Sequence, residues 1–594
     1  MKNYYNNLRE FIAFLESKGE LKRIRSPVSP YLEISRLTDQ ESKSPNGGKA
    51  LLFERVQGSS FPVVTNTFGS PRRICWALGV ECLDQLGDRV QTILDLGPPG
   101  NIRQFVDTLY SVFTMTRFFP RTYRKQNPPC QEVIYTGTDV DLSRIPVLHC
   151  WPKDGGPFVT LPLVFTRSLT TGKRNVGMYR MQIFDRNTTG MHWHIHKDGS
   201  HYYNEYCKAG KRMPVAVAIG ADPATTYAAT APLPRGVDEM MLAGFIRQRP
   251  VKLTRCLTVD LEVPAESEFV MEGYVYPGET RLEGPFGDHT GYYSLVDQYP
   301  VFHVTALTHR KDAIYGATLV GRPPMEDCYL AKATERLFLP LLKSVFPEIK
   351  DYWFPWEGVF HNIVIVSTEK EYPGQAQKLI SGLWGQGQMS FCKGIVVVDE
   401  TVDPKDSKAV MRELLTKLDM TSDIIITRGV LDVLDHSAPI PLYGSKIGID
   451  LTERLLGEPP RKEYDTAQTF LSPQEALALS DKALEGIISC LPIHIQGRNR
   501  VMLFGVEKGP GRGGSYFAHG LLALKELNNY NIIILFDKEI QLSDNSLVLW
   551  KLFNNVDPER DLYRRNNRLI IDACRKGLMD GHTREWPDDI TMEG

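Results

Sequence analysis

Sliding the chain against itself by 138 residues lays 363–423 on 501–561 without a gap, and this self-match limits the possible folds more than any other feature. It places IVIVSTEK on VMLFGVEK and IVVVDETVDPKDSKAVMRELL on IILFDKEIQLSDNSLVLWKLF. Identical pairs include Glu369 and Glu507, Lys370 and Lys508, Gly382 and Gly520, Asp399 and Asp537, Asp406 and Asp544, Val410 and Val548, Leu414 and Leu552, and Asp419 and Asp557. Strand and helix periods arrive in step over the whole stretch, which predicts a duplicated α/β unit. The alternative is a chance alignment of two generic βαβ segments.

Around this repeat the pattern changes along the chain. Residues 1–125 read as an N-terminal α/β region, opening on an amphipathic helix and continuing through VVTNTFGSPRRICWALG as strand, glycine turn and helix. Residues 126–325 carry short β-rich runs, PLVFTRSL, NVGMYRMQIF, PVAVAIGA and RCLTVDLEV, which predict a barrel or compact sheet. Residues 326–470 return to α/β alternation, with strands NIVIVST and GIVVVDE and helices over 374–384 and 407–418. Residues 471–594 hold the second copy. At 594 residues the chain has room for three or four cores. A net charge of −2 argues against a nucleic-acid partner. No apolar run approaches the ~20 residues of a membrane span, and the acidic opening helix is no signal peptide. The ten cysteines are scattered without a C-x-x-C pair, as in a reduced cytoplasm.

Three stretches carry candidate chemistry. The first, ETRLEGPFGDHTGYY at 279–293, places Glu279, Glu283 and Asp288 around a Gly-Pro turn, a spacing that a helix or bent turn could converge on one pocket. Converging carboxylates repel, so one of them is expected to keep its proton near neutral pH and serve as a general acid. A solvated surface turn is the alternative. The second, MHWHIH at 191–196, puts His192, His194 and His196 on one face of a strand, where they could bind zinc or another metal or simply line a polar face. Upstream, Arg180 could hold a carboxylate or phosphate in a bidentate contact. The third, GPGRGG at 509–514, fits a dinucleotide fingerprint between a strand and a helix, with a flexible turn as the alternative.

Six ordered stretches, IPVLHCWPKD (145–154), NVGMYR (175–180), HWHIHKDG (192–199), LPRGVDE (233–239), EGPFGDHTGYY (283–293) and YGSKIGID (443–450), resemble the UbiD family of decarboxylases over residues 1–470. The resemblance implies an N-terminal α/β region, a central split β-barrel related to flavin reductases, and a C-terminal α/β domain used in oligomerisation. It implies prenylated FMN as cofactor, with manganese or magnesium, and potassium as a further candidate. Carried over by position, Asn175, His196 and Glu239 would hold the metal. Met178, Tyr179, Arg180, His192, Trp193, His194, His196, Lys197, Asp198, Thr230 and Ala231 would line the cofactor, and Lys393 would reach its phosphate. Asn531 stands where Lys393 stands in the first copy, so the second copy is expected to be structural. Glu283 would return the proton after CO2 departs, with Arg180 and Glu279 in its network and Asp288 competing for the role; burial is expected to raise the donor's pKa.

Two departures stand out. Quinone-pathway members commonly carry Arg and Leu where this chain has His192 and His194, and the repeat extends it beyond the usual end. That longer form is similar to relatives attributed to menaquinone biosynthesis, which implies a polycyclic aromatic acid as substrate. The resemblance further implies a flavin prenyltransferase as cofactor supplier, a dimer or hexamer, and a cytoplasmic location, at the membrane periphery if the substrate is prenylated. A flavin or nicotinamide oxidoreductase on the same barrel, and a non-catalytic assembly protein, are the competing readings.

Overall fold

Alternation along Met213–Ile219 organises the first half of the molecule. Val215, Val217 and Ile219 enter one apolar cluster while Ala216 and Ala218 enter another, so this strand is buried on both faces, as its unbroken apolar run demands. It is central to a seven-stranded antiparallel sheet running in the order Thr188–Gly190, Asp297–His309, Phe269–Glu283, Met213–Ile219, Pro162–Arg167, Arg174–Gly177, with Val133–Thr136 added on the far end of Asp297–His309. Among the described residues no ladder joins its two edges, so the sheet is open.

The computed structural model describes residues 4–95, 116–194, 197–462, 471–482, 484–495, 497–565 and 567–593. It forms two units, Met1–Leu337 with Asp588–Gly594, and Phe338–Pro587. In the first, the predicted opening helix is Leu8–Ser17, capped by the Asn7 side chain accepting from Glu10 N. Its Leu8 and Ile12 pack on Leu52 and Val64 of a small sheet built from Leu21–Ile24, Ala50–Phe53, Val63–Thr65 and Tyr315–Gly316. The turn after Val63–Thr65 leads into the helix Pro71–Ala77, with Ser70 as N-cap.

The second unit contains the repeat as two five-stranded sheets of identical order. One runs Ile349–Trp353, Ile363–Thr368, Gly394–Asp399, Tyr443–Asp450, Ile424–Val430; the other runs Ile487–Ile493, Val501–Val506, Ile532–Asp537, Arg568–Asp572, Leu562–Arg565. Ile363 pairs with Gly394 and Val501 with Ile532, the same register 138 residues on. Asp406 and Asp544 cap the equivalent helices Ser407–Lys417 and Asn545–Asn555. Ile365, Val398 and Val410 share one core with their counterparts Leu503, Phe536 and Val548, so each copy covers an apolar face of the other.

The repeat also extends beyond its gap-free part. Lys370 bonds Glu458, which accepts from Gly374 N at the head of the next helix; Lys508 bonds Asp580, which accepts from Gly514 N in the same way. Glu458 and Asp580 match at an offset of 122, because the hairpin formed by the last two strands, connection and strand ends together, is sixteen residues longer in the first copy. The Asp580 carboxylate therefore fills the helix N-terminus behind the GPGRGG loop. A dinucleotide fingerprint needs that position for a pyrophosphate, so the loop is a structural turn.

Candidate active site

Three pieces of backbone converge beside the open sheet. Glu283 is the last residue of the long strand Phe269–Glu283 and pairs in register with Asp297. Asp288 sits in the turn of a two-stranded hairpin formed by Phe286–Gly287 and Tyr293–Ser294. Arg180 follows the edge strand Arg174–Gly177. All three side chains are buried or nearly so: 8% of the Arg180 side chain, none of Glu283 and 11% of Asp288 is exposed. Burial at this level demands mutual compensation.

The Arg180 guanidinium supplies it. Nε donates to Glu283 Oε1 at 3.1 Å, Nη1 to Asp288 Oδ2, and Nη2 to Ser294 Oγ at 2.9 Å, while the Phe286 ring lies 4.6 Å from the guanidinium carbon. His192 Nδ1 lies 2.7 Å from the same Glu283 oxygen, and its ring stacks on Tyr299 at 4.1 Å. Burial pushes the Glu283 carboxyl up, but the His192 hydrogen bond and the Arg180 charge outweigh it, so the net shift is downward. Burial also opposes ionisation of Asp288; Arg180 and the two His289 donors reverse that and hold it far below the usual carboxylate range. Burial, then the Arg180 charge, push His192 down, so its imidazole is neutral. The expectation of a raised acid fails here because each acid is bonded by nitrogen donors, Glu283 by His192 and Arg180 and Asp288 by Arg180 and His289, and not faced by a second carboxylate alone.

Glu279 does not join this network. Four residues along a strand separate side chains by about 13 Å, and Glu279 ends an irregular stretch between Val275 and Thr280 where the register slips. Its carboxylate meets His303 Nε2 at 2.8 Å and is 41% exposed. Lys393, expected to reach the cofactor phosphate, belongs to the second unit, where its buried ammonium bonds Asp435 at 2.9 Å and Ser437 Oγ at 3.0 Å. Both partners belong to the longer connection, 431–442, of the first copy. In the second copy Asn531 instead accepts from Arg500 N at 2.7 Å.

The expected metal residues are buried together beside Tyr179. Asn175 Nδ2 donates to Thr166 Oγ1 at 3.2 Å and the Tyr179 hydroxyl bonds the Asn175 side chain; Glu239 Oε2 accepts from Val176 N at 2.9 Å. Burial, then the neighbouring Asp238 and Asp198, push Glu239 up to about 8. Among the described residues no cation pairs with this buried carboxyl, and a carboxylate with the amide of Asn175, the residue before its Val176 partner, is a donor pair suited to a hard divalent ion. His196, the third expected ligand, lies outside the described residues. Of the three-histidine face, two members meet: His192 Nε2 and His194 Nε2 are 2.6 Å apart, joined by a hydrogen bond.

The expected cofactor-lining residues surround the same strand end. Met178 N bonds Ala229 O, Thr230 Oγ1 donates to Tyr227 O, and Ala231 N donates to Ala228 O. Lys197 is the N-cap residue of the helix Asp198–Lys208, and Asp198 accepts from Arg235. Trp193 is buried with its indole N–H unpartnered among the described residues. Such a donor is suited to a ligand acceptor.

Sequence reasoning missed four residues of this site. Ser294 and Tyr299 reach it only through strand pairing. Asp154, in a WPKDGG turn, accepts from Gly287 N at 2.7 Å and from Trp151 N at 2.9 Å, and so anchors the Asp288 hairpin; burial raises it to about 7. Gly190 is the fourth: a Cβ there would lie 2.7 Å from Glu283 Oε2. Gly190→Ala is therefore expected to displace the Glu283 carboxylate, lowering kcat by about 10²-fold with little change in the unfolding temperature. Paired kinetics and thermal unfolding check this.

The N-terminal, Rift-related and C-terminal domain models of 3-octaprenyl-4-hydroxybenzoate carboxy-lyase match residues 12–90, 121–323, and 328–451 with 475–573. A protein of Archaeoglobus fulgidus is 49% identical over 463 residues, covering 77% of this chain and 94% of its own length. A protein of Helicobacter pylori is 38% identical over 592 residues, covering 98% and 94%. Among solved structures, vanillic acid decarboxylase of Sedimentibacter hydroxybenzoicus in closed form aligns with a TM-score of 0.69 at 27% identity, over 79% of this chain and 96% of that one. An evolved dimeric form of the UbiD-class enzyme HmfF from Pelotomaculum thermopropionicum, in complex with prFMN, aligns with a TM-score of 0.63 at 29% identity, over 77% and 97%. With three domain models of one family matched along its length, the chain belongs to the UbiD family of carboxy-lyases.

Proposed function

We propose that the protein removes CO2 from an aromatic or α,β-unsaturated carboxylic acid, reversibly and without net oxidation, using prenylated FMN and a divalent metal. The observation that carries this reading is the Arg180 fork with Glu283 and Asp288 on its prongs. The prFMN complex of the HmfF relative supports the cofactor. When bound, that cofactor supplies the electron sink an sp2 carbon needs to release CO2. Asn175 and Glu239, with His196, would hold the metal.

The proton is the protein's share of the chemistry. Arg180, Glu283 and Asp288 together carry one net negative charge, and a substrate carboxylate entering this dry site adds a second. Like-charge repulsion is relieved by taking up one proton. Both Asp288 oxygens already accept hydrogen bonds, and so does Glu283 Oε1; Glu283 Oε2 is buried and without a donor among the described residues. Glu283 therefore takes the proton on Oε2 and hands it to the carbon that CO2 leaves, while Asp288 and His192 fix its orientation.

The same reading divides the chain at 125, 325 and 470, a division supported by the matched stretches, with the open sheet as the larger part of a split barrel. A place in quinone biosynthesis is supported by the family description, which names a prenylated hydroxybenzoate. Among the described residues no helix is long and apolar enough to cross a membrane. The test is mass spectrometry of the small molecule released from protein co-expressed with a flavin prenyltransferase. Prenylated FMN is expected, with its content reduced at least about tenfold in Asn175→Ala and Glu239→Ala. Ordinary FMN, a nicotinamide or no cofactor overturns the proposal.

A further inference from the structure

The segment 588–592 crosses back into the first unit and pairs with the hairpin that carries Asp288. Tyr293 N donates to Asp588 O at 3.0 Å, Ile590 N donates to Gly291 O at 2.9 Å, and Tyr292 and Asp589 form an antiparallel bridge between those two bonds. Ile590 is 9% exposed and joins the main core of the first unit, with Met592 packed beside it. Lys153 Nζ adds an exposed contact to Asp588 at 2.9 Å, a pair of little energetic weight.

What this segment holds is specific. The hairpin has only two strands, Phe286–Gly287 and Tyr293–Ser294, two residues each. Two-stranded hairpins of that size are marginal in water. Yet this one supplies two of the three groups on the Arg180 fork, Asp288 from its turn and Ser294 from its second strand. On its inner side it is tied by Asp154 to Gly287 N and by Gly155 N to Pro285 O at 2.8 Å. The 588–592 segment adds an antiparallel bridge and two backbone hydrogen bonds to it, and the apolar side chains Ile590 and Met592 fasten that segment to the core.

We infer that residues 588–592 are a positioning strap that holds Asp288 and Ser294 against Arg180. The strap acts through the hairpin it bonds. The inference rests on the carboxy-lyase reading of this site for its catalytic consequence, but the mechanical part stands on the hydrogen bonds alone.

The test uses the full chain. Ile590→Pro deletes the donor to Gly291 O while leaving an extended backbone in place, and Asp588→Asn, which removes the charge that meets Lys153 and keeps every backbone bond, is the control. Amide hydrogen exchange read by mass spectrometry is expected to quicken about tenfold in peptides covering 284–296, with peptides of Met213–Ile219 unchanged. In the holoenzyme kcat is expected to fall about tenfold or more with KM little changed. Unchanged exchange in 284–296, or quickening spread equally over the chain, overturns the strap. If Ile590→Pro does not fold, the unaltered protein decides: the Tyr293 and Ile590 amides are expected to exchange as slowly as the central sheet, and rapid exchange refutes the inference. A wild-type protein that turns over no carboxylic acid while showing the expected exchange refutes the proposed function and leaves the strap intact.

Discussion

Glu283→Gln is expected to lower kcat by about 10² to 10⁴-fold while the protein still binds its cofactor, and Asp288→Asn is expected to cost less. The two acids flank one guanidinium but differ in what remains free. Asp288 has its oxygens tied by Arg180 and by the backbone N and ring Nδ1 of His289. Glu283 keeps Oε2 open in a buried position. In the free site Glu283 lies below its ordinary value, so it is ionised at neutral pH. The substrate's negative charge raises it in the complex, so activity is present below that raised value and lost as pH rises through it. The kcat profile should therefore fall on the alkaline side, and the residual activity of Glu283→Gln should lack that limb. Steady-state kinetics of both variants across pH decide the assignment; a larger loss in Asp288→Asn would make Asp288 the donor.

The sequence made the residues of this site legible more readily than their relations. Arg180, Glu283 and Asp288 lie in local motifs whose order along the chain survives without any knowledge of the fold. Glu279 was misplaced because helix, bend and strand give four-residue spacings very different reach, and only the register of Phe269–Glu283 against Asp297–His309 shows which applies. The direction of the carboxylate shifts was misread for a related reason: the three acids were adjacent in the sequence, whereas Arg180, a hundred residues away, lies between two of them in space. Gly190 and Ser294 carry no signal of their own, since a close approach and a strand pairing exist only between distant segments. The repeat shows the same limit. A gap-free slide finds the strands and helices whose spacing is preserved, and loses Glu458 and Asp580 once the connections differ in length, although each caps an equivalent helix.

Arg180→Lys and Arg180→Ala separate the shape of this site from its charge. Lysine keeps a cation but can satisfy only part of a fork that spans Glu283, Asp288 and Ser294, so kcat is expected to fall about 10²-fold with the fold preserved. Alanine leaves two buried carboxylates facing each other, and removing one partner of such a buried network is expected to destabilise the first unit by about 3–5 kcal/mol at neutral pH. The sign with pH follows from the directions of the shifts. In the wild type both carboxyls are held below their unfolded values, so their pairing contributes stability above about pH 4 and loses it as pH falls through the folded values. In Arg180→Ala burial and repulsion raise both, so the variant regains stability as they protonate. Its deficit in the first unfolding transition should therefore be larger at pH 8 than at pH 5, where the carboxyls begin to take up protons. Equal deficits at the two pH values would mean that Arg180 supports the site by filling space, and that the charge balance assigned to Glu283 and Asp288 is wrong.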